Sequence, residues 1–152
     1  ENPRERALLR RCHDLQDIAF TRGYARLRVD LLKIGTVNPE ALALVAGVLA
    51  QVRENTGHEI RSPAPVAVQM AHAKAGSESP VVSDLRFRRL IATKSRADLY
   101  PAMIRAVRLL GQSAHLPSLA KGLYWWNDLT RQTWTFAYDE TLLRKKTAAK
   151  KE

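Results

Sequence analysis

Asn38-Pro39-Glu40-Ala41-Leu42-Ala43-Leu44-Val45-Ala46-Gly47-Val48-Leu49 is the stretch on which the fold turns. Asn38 offers a capping side chain, and Pro39 suits the first helical position, where its missing N–H is not needed. Glu40 falls in the first turn, where the helix dipole favours an anion. Leu42, Leu44, Val45, Val48, Leu49 and Val52 then run almost around the helix, leaving no polar side. Such a helix belongs inside, so 39–54 reads as the central buried helix of a bundle.

The flanking segments are punctuated in the same way. Asn2-Pro3 carries the same start signal and opens a helix expected to reach about Phe20, with Leu8, Leu9, Cys12, Leu15 and Ile18 at a helical period. Residues 24–34 read as another helix, stopped by Gly35. Asn55, Gly57, Ser62, Pro63 and Pro65 make 55–65 a loop, before a short helix at 66–74. Gly76-Ser77-Glu78-Ser79-Pro80 is the expected boundary between an N-terminal lobe, 1–76, and a C-terminal lobe, 77–143.

Beyond it, Ser79 and Pro80 open a helix expected to run to about Thr93. Ser95-Arg96-Ala97-Asp98 resembles a capping box with Asp in place of Glu. Leu99, Met103, Val107 and Leu110 then form one apolar stripe, closed by Gly111. Pro117 or Ser118 opens a helix with Leu119, Leu123 and Trp126 on one side. Residues 134–138 alternate like a strand, but a lone strand has no partner in this sequence, so they read as helix. Residues 144–152 form a basic tail expected to fray. The fold class is therefore all-α: two small helical lobes packed into one compact basic subunit.

The 152 residues carry 25 Lys and Arg against 15 Asp and Glu, a net charge of +10. The excess is concentrated in the second half, where residues 81–152 hold 14 basic and 6 acidic side chains. A field of that sign attracts polyanions. The single cysteine excludes an internal disulfide framework and every cysteine-rich zinc site. No run of about 18–20 apolar residues is present, which excludes a transmembrane helix.

No phosphate-loop, dinucleotide-binding, zinc-protease or serine-hydrolase signature occurs. His13, His58, His72 and His115 stand singly, without ligand spacing, and Cys12 reads as a small buried hydrophobe. No catalytic residue, metal ligand or cofactor is therefore expected. Asp139-Glu140, joined by Asp84, Asp98 or Asp128, is the one set from which a metal-dependent nuclease could be built. Adjacent helical positions diverge by about 100°, so the pair alone makes no two-metal site. Caps and salt-bridge partners are the plainer roles.

The basic residues form the stronger pattern. Arg86, Arg88 and Arg89 share a helix, with Lys94 and Arg96 at its end. Arg105 and Arg108 share a face of the next helix, and Lys121 and Arg131 follow. Any one of them could be a solvated surface cation, but residues 85–97 contain five basic side chains and no acid. Neutralising phosphates releases counterions, the source of sequence-independent affinity. Tyr124-Trp125-Trp126 could stack on bases. Trp126, Trp134 and Phe136 read as core, and Trp125 is open between the two roles.

Leu85-Arg86-Phe87-Arg88-Arg89-Leu90-Ile91-Ala92, Ala97-Asp98-Leu99-Tyr100, Arg105-Ala106-Val107-Arg108-Leu109-Leu110 and Leu123-Tyr124-Trp125-Trp126-Asn127-Asp128 together resemble the CasB family. That family is the small subunit of the type I-E CRISPR surveillance complex, Cascade. The resemblance spans roughly 80–138 and is loose before that. It implies an all-α, non-enzymatic, cytoplasmic protein with no small-molecule substrate and no membrane. Its implied partners are guide RNA, the target and non-target DNA strands, the Cascade backbone and large subunits, and a second copy beside it.

By resemblance, Arg108 matches a position that is often basic, and Arg88 or Arg89, Lys94 and Arg96 occupy a basic stretch. Asn127 and Asp128 replace residues that are basic in some members, which moves the expected contact to Arg131. Glu40 stands where some members have arginine after Asn-Pro, so no contact is carried over there. The competing readings are a stand-alone helix-turn-helix regulator and a metal-dependent nuclease using Asp84, Asp128, Asp139 or Glu140.

Overall fold

In the computed structural model, which describes residues 2–55, 64–74 and 76–150, the chain is built around one buried helix. This is α4 (Pro39–Leu49), in which Ala41 through Val48 are all buried. The Asn38 side chain accepts from the Ala41 N–H at 3.0 Å, as the start signal requires. Against α4 pack α1 (Pro3–Arg10), α2 (Leu15–Ala19), α3 (Arg22–Leu32), α7 (Arg96–Leu109) and α8 (Leu116–Tyr124). Two short segments, β1 (Glu54–Asn55) and β2 (Ser113–Ala114), pair in parallel with Glu54 opposite Ser113. The remaining helices are α5 (Val66–Ala71), α6 (Asp84–Ala92) and α9 (Asp128–Lys150), and α5 packs on α9.

The class is all-α. Buried residues on both sides of Gly76 join one hydrophobic cluster, from Ile18 and Leu44 to Phe87, Leu99, Leu123 and Tyr138. Among the described residues no helix is long and apolar enough to cross a membrane.

Several boundaries differ from the expected ones, each for a local reason. The first helix does not run to Phe20. It ends at Arg10, and Asp14 starts α2 by accepting from the Asp17 N–H at 2.8 Å. The side chains of Arg6 and Arg10 donate to the carbonyls of Val52 and Ala50 just beyond α4, satisfying groups a helix end leaves open. That helix stops at Leu49, short of 54, and the chain leaves it to pair β1 with β2. Of the loop expected at 55–65, residues 56–63 lie outside the described residues.

The Ser79-Pro80 start is not used. Pro80 forms an antiparallel bridge with Ala73, and the N–H groups of Val81 and Val82 donate to the carbonyls of His72 and Met70. This extended path delays the helix to Asp84, where Ser83 accepts from the Arg86 N–H at 3.3 Å. Residues 134–138 are helical, inside α9. The basic tail does not fray at 144, because α9 continues through Lys150. Arg144 pairs with Glu140 at 2.5 Å, and Lys145 Nζ donates to the Ala71 carbonyl at 3.1 Å. Phe136, expected in the core, is 68% exposed, because the buried side of α9 passes through Trp134 and Tyr138 instead.

Candidate nucleic-acid interface

The candidate interface is set by how α6 is held. Its inner side is fastened to α9: Phe87 stacks on Tyr138 at 3.9 Å between ring centroids, and Arg88 pairs with Asp139 at 2.5 Å. Arg88 also reaches Asp84 at 3.3 Å. Its hydrogen bond with Asp139 raises its pKa above the ordinary guanidinium value, so it is firmly charged and already paired. At about 100° per residue, holding Phe87, Arg88 and the Ile91 carbonyl toward α9 turns Arg86 and Arg89 the other way.

The next helix is phased to meet them. Leu99, Met103 and Val107, all fully buried, seat α7 on the core, as the stripe predicts, while Leu110 is half-buried. The helix begins on Ser95, whose Oγ accepts from the Asp98 N–H at 3.2 Å and donates to the Asp98 carboxylate at 2.9 Å. Asp98, Ala102, Arg105 and Arg108 then fall along one outer line. Gly111, at φ +70°, ends the segment in the left-handed region where glycine is favoured.

Between α6 and α7 lies a groove of about 740 Å³. Arg86 and Arg89 line it from one helix, Arg105 and Arg108 from the other, and its floor is apolar. None of these four arginines has a carboxylate within ion-pair distance among the described residues. All four stand among the basic residues singled out in the sequence. Sequence reasoning missed the floor and Asp98 as a lining residue, because which side of each helix faces the groove follows from packing.

The other expected contacts are placed elsewhere. Lys94 is exposed in the turn joining α6 to α7. Arg96 is half-buried at the start of α7, with its Nε buried and unpartnered among the described residues. Lys121 is exposed on α8, outside the groove lining. Arg131 is turned inward: it donates to the Ile91 carbonyl at 2.5 Å and to Asp128 at 3.0 Å, fixing α9 to the end of α6.

Trp126 is core, donating from Nε1 to the Thr93 carbonyl at 2.8 Å and meeting Trp134 edge-on. Trp125 is 59% exposed and contacts Tyr124 edge-on at 4.8 Å.

Four of the carboxylates that could have built a nuclease face arginines: Asp84 and Asp139 meet Arg88, Asp128 meets Arg131, and Glu140 meets Arg144, while Asp98 is held by the Ser95 hydroxyl. Among the described residues no three His, Cys, Asp or Glu side chains gather closely enough to hold a metal ion. Cys12 is half-buried, and burial followed by Asp17 and Asp14 pushes its thiol pKa up, away from a reactive thiolate.

Comparison with known proteins gives these features a family. The chain is similar to one in the crystal structure of E. coli Cascade bound to a PAM-containing dsDNA target. Identity is 19%, over 95% of this chain and 90% of that one, with a TM-score of 0.67. At this identity the likeness speaks for the fold. No curated protein matches. A family model described as CRISPR-associated protein Cse2 matches residues 5–139, most of the chain. The chain therefore belongs to the CRISPR-associated Cse2 family, the type I-E Cascade small subunits that the sequence resemblance calls CasB.

Proposed function

We propose that this chain is a non-catalytic small subunit of a type I-E Cascade, acting in antiviral defence by holding nucleic-acid backbone. It stabilises the pairing of guide RNA with target DNA and the displaced strand, alongside the Cascade backbone and large subunits and a second copy of itself. The observation that carries this is the groove between α6 and α7, with Arg86, Arg89, Arg105 and Arg108 around it and, among the described residues, no carboxylate paired to any of them. Phosphates arriving there replace condensed counterions, giving affinity without sequence preference. Such affinity suits an R-loop, because exchange of duplex for heteroduplex is nearly balanced and backbone contacts tip it.

A helix-turn-helix regulator would need a recognition helix free to enter the major groove. Here the exposed arginines of α7 face α6 across a shared groove instead.

The test is Cascade reconstituted with Arg89→Glu and Arg108→Glu in this subunit. Both positions are exposed, so the variant should melt as the wild type does. Its R-loop lifetime should fall about tenfold or more, the effect of reversing two phosphate contacts. An unchanged lifetime in the folded variant sinks the assignment. Anisotropy of the free chain on unrelated strands and duplexes should show weak binding everywhere, falling steeply with salt. A preference of about 10³-fold for one duplex would mark a regulator.

A further inference from the structure

We infer that the groove between α6 and α7 seats an unpaired nucleotide, base against its floor and phosphates at its arginines. This rests on the backbone-holding reading and names the form of nucleic acid the groove takes: single strand.

A surface that only holds phosphates needs cations and no floor. This groove has both. Val82, Leu90 and Ala106, at 1%, 4% and 3% exposure, line it together with Pro101, Ala102 and Leu109. A phosphate driven onto that floor would lose its water without a replacement partner, whereas a flat base loses little. At about 740 Å³ the groove is within the ~300–1,000 Å³ of clefts that enclose small organic ligands.

The order of groups along α7 matches a nucleotide. Asp98 comes first, then Pro101 and Ala102, then Arg105 and Arg108, spread over ~15 Å of helix at the usual rise. Asp98 and Thr93 lie beside the turn that joins the two helices, so this is the closed end. The Asp98 carboxylate, held by the Ser95 hydroxyl at 2.9 Å, is an acceptor for base N–H groups and repels phosphate. Arg86 and Arg108, at the far ends of their helices, mark the open end. A duplex keeps its bases stacked and paired, and extruding one costs free energy that a single strand does not spend.

The test uses the full-length chain and labelled oligonucleotides of equal length and phosphate number: a base-bearing single strand, a strand of abasic spacers, and a duplex. The base-bearing strand should bind about tenfold more tightly than the abasic one, as base stacking does elsewhere, and more tightly than the duplex. Ala102→Phe fills the floor without changing charge. It should abolish the preference and leave abasic binding and its salt dependence intact. Leu109→Ser, at a position 39% exposed, carries the same expectation should the first variant fail to fold.

Equal affinity of the wild type for both strands overturns base seating and leaves backbone holding in place. Absence of binding to either strand overturns both. A deoxynucleoside monophosphate should compete only at far higher concentration than the strand. Competition at equal concentration assigns the groove to a free nucleotide and overturns the strand proposal.

Discussion

At the scale of single residues, Arg86, Arg88 and Arg89 show how position on a helix divides identical side chains. Arg88 spends its charge on Asp84 and Asp139, while its two neighbours border the groove. Gly122 makes a similar point about space. A Cβ there would press into the Trp134 indole, 2.8 Å from Cε2 and 3.0 Å from Nε1. That ring is buried and braced by Trp126, so it has little room to move. Gly122→Ala should destabilise the chain by about 1–3 kcal/mol in urea unfolding. Gly35→Ala, where nothing lies within 4 Å, is the control and should change little. The glycine and the tryptophan are both visible in the sequence, but their contact across two helices is not.

At the scale of elements, the caps were legible where a polar side chain had no stronger claim on its backbone. Asn2, Asn38 and Ser95 cap as read. Ser79 does not, because the chain around it is drawn into hydrogen bonds with residues 70–74, and Ser83 takes its place. Asp14 and Thr21 cap helices that apolar spacing alone had run together or started late. Ser95 matters most, since it begins α7 and holds the Asp98 carboxylate at the closed end of the groove. Ser95→Ala should cost about 1 kcal/mol of stability, measured by thermal or chemical denaturation. A result within error of zero would mean that neighbouring packing alone starts the helix.

At the scale of the whole molecule, two buried tyrosines tie distant segments together. Tyr100 donates to the Cys12 carbonyl at 2.7 Å, across 88 residues, and Tyr138 to the Val82 carbonyl at 2.6 Å, across 56. Burial pushes each pKa from 10.0 up to about 12, with smaller contributions from nearby charges. The folded state thus holds these protons more tightly than the unfolded one. Their contribution is complete below pH 10 and is lost as pH rises through about 12. Denaturation midpoints should therefore fall steeply over that window. Tyr138→Phe should be less stable at pH 9 and show a shallower fall, and an undiminished slope in Tyr100→Phe/Tyr138→Phe would assign the alkaline loss to other groups.

Local sequence pattern was enough to set the all-α class, the burial of α4, the apolar stripe of α7 and the positive half of the molecule. These depend on local periodicity, end signals and counted charge, all of which act over a few residues or need no geometry. Tertiary structure decided which cations remain available. Arg88 and Arg131 are claimed by Asp139, Asp128 and the Ile91 carbonyl, partners set by the docking of α6 on α9. Packing likewise turned Arg86 and Arg89 toward Arg105 and Arg108 and left an apolar floor between them. Rotating a helix about its axis leaves its composition unchanged and replaces every neighbour it has, so the phase of each face is set only when the core closes.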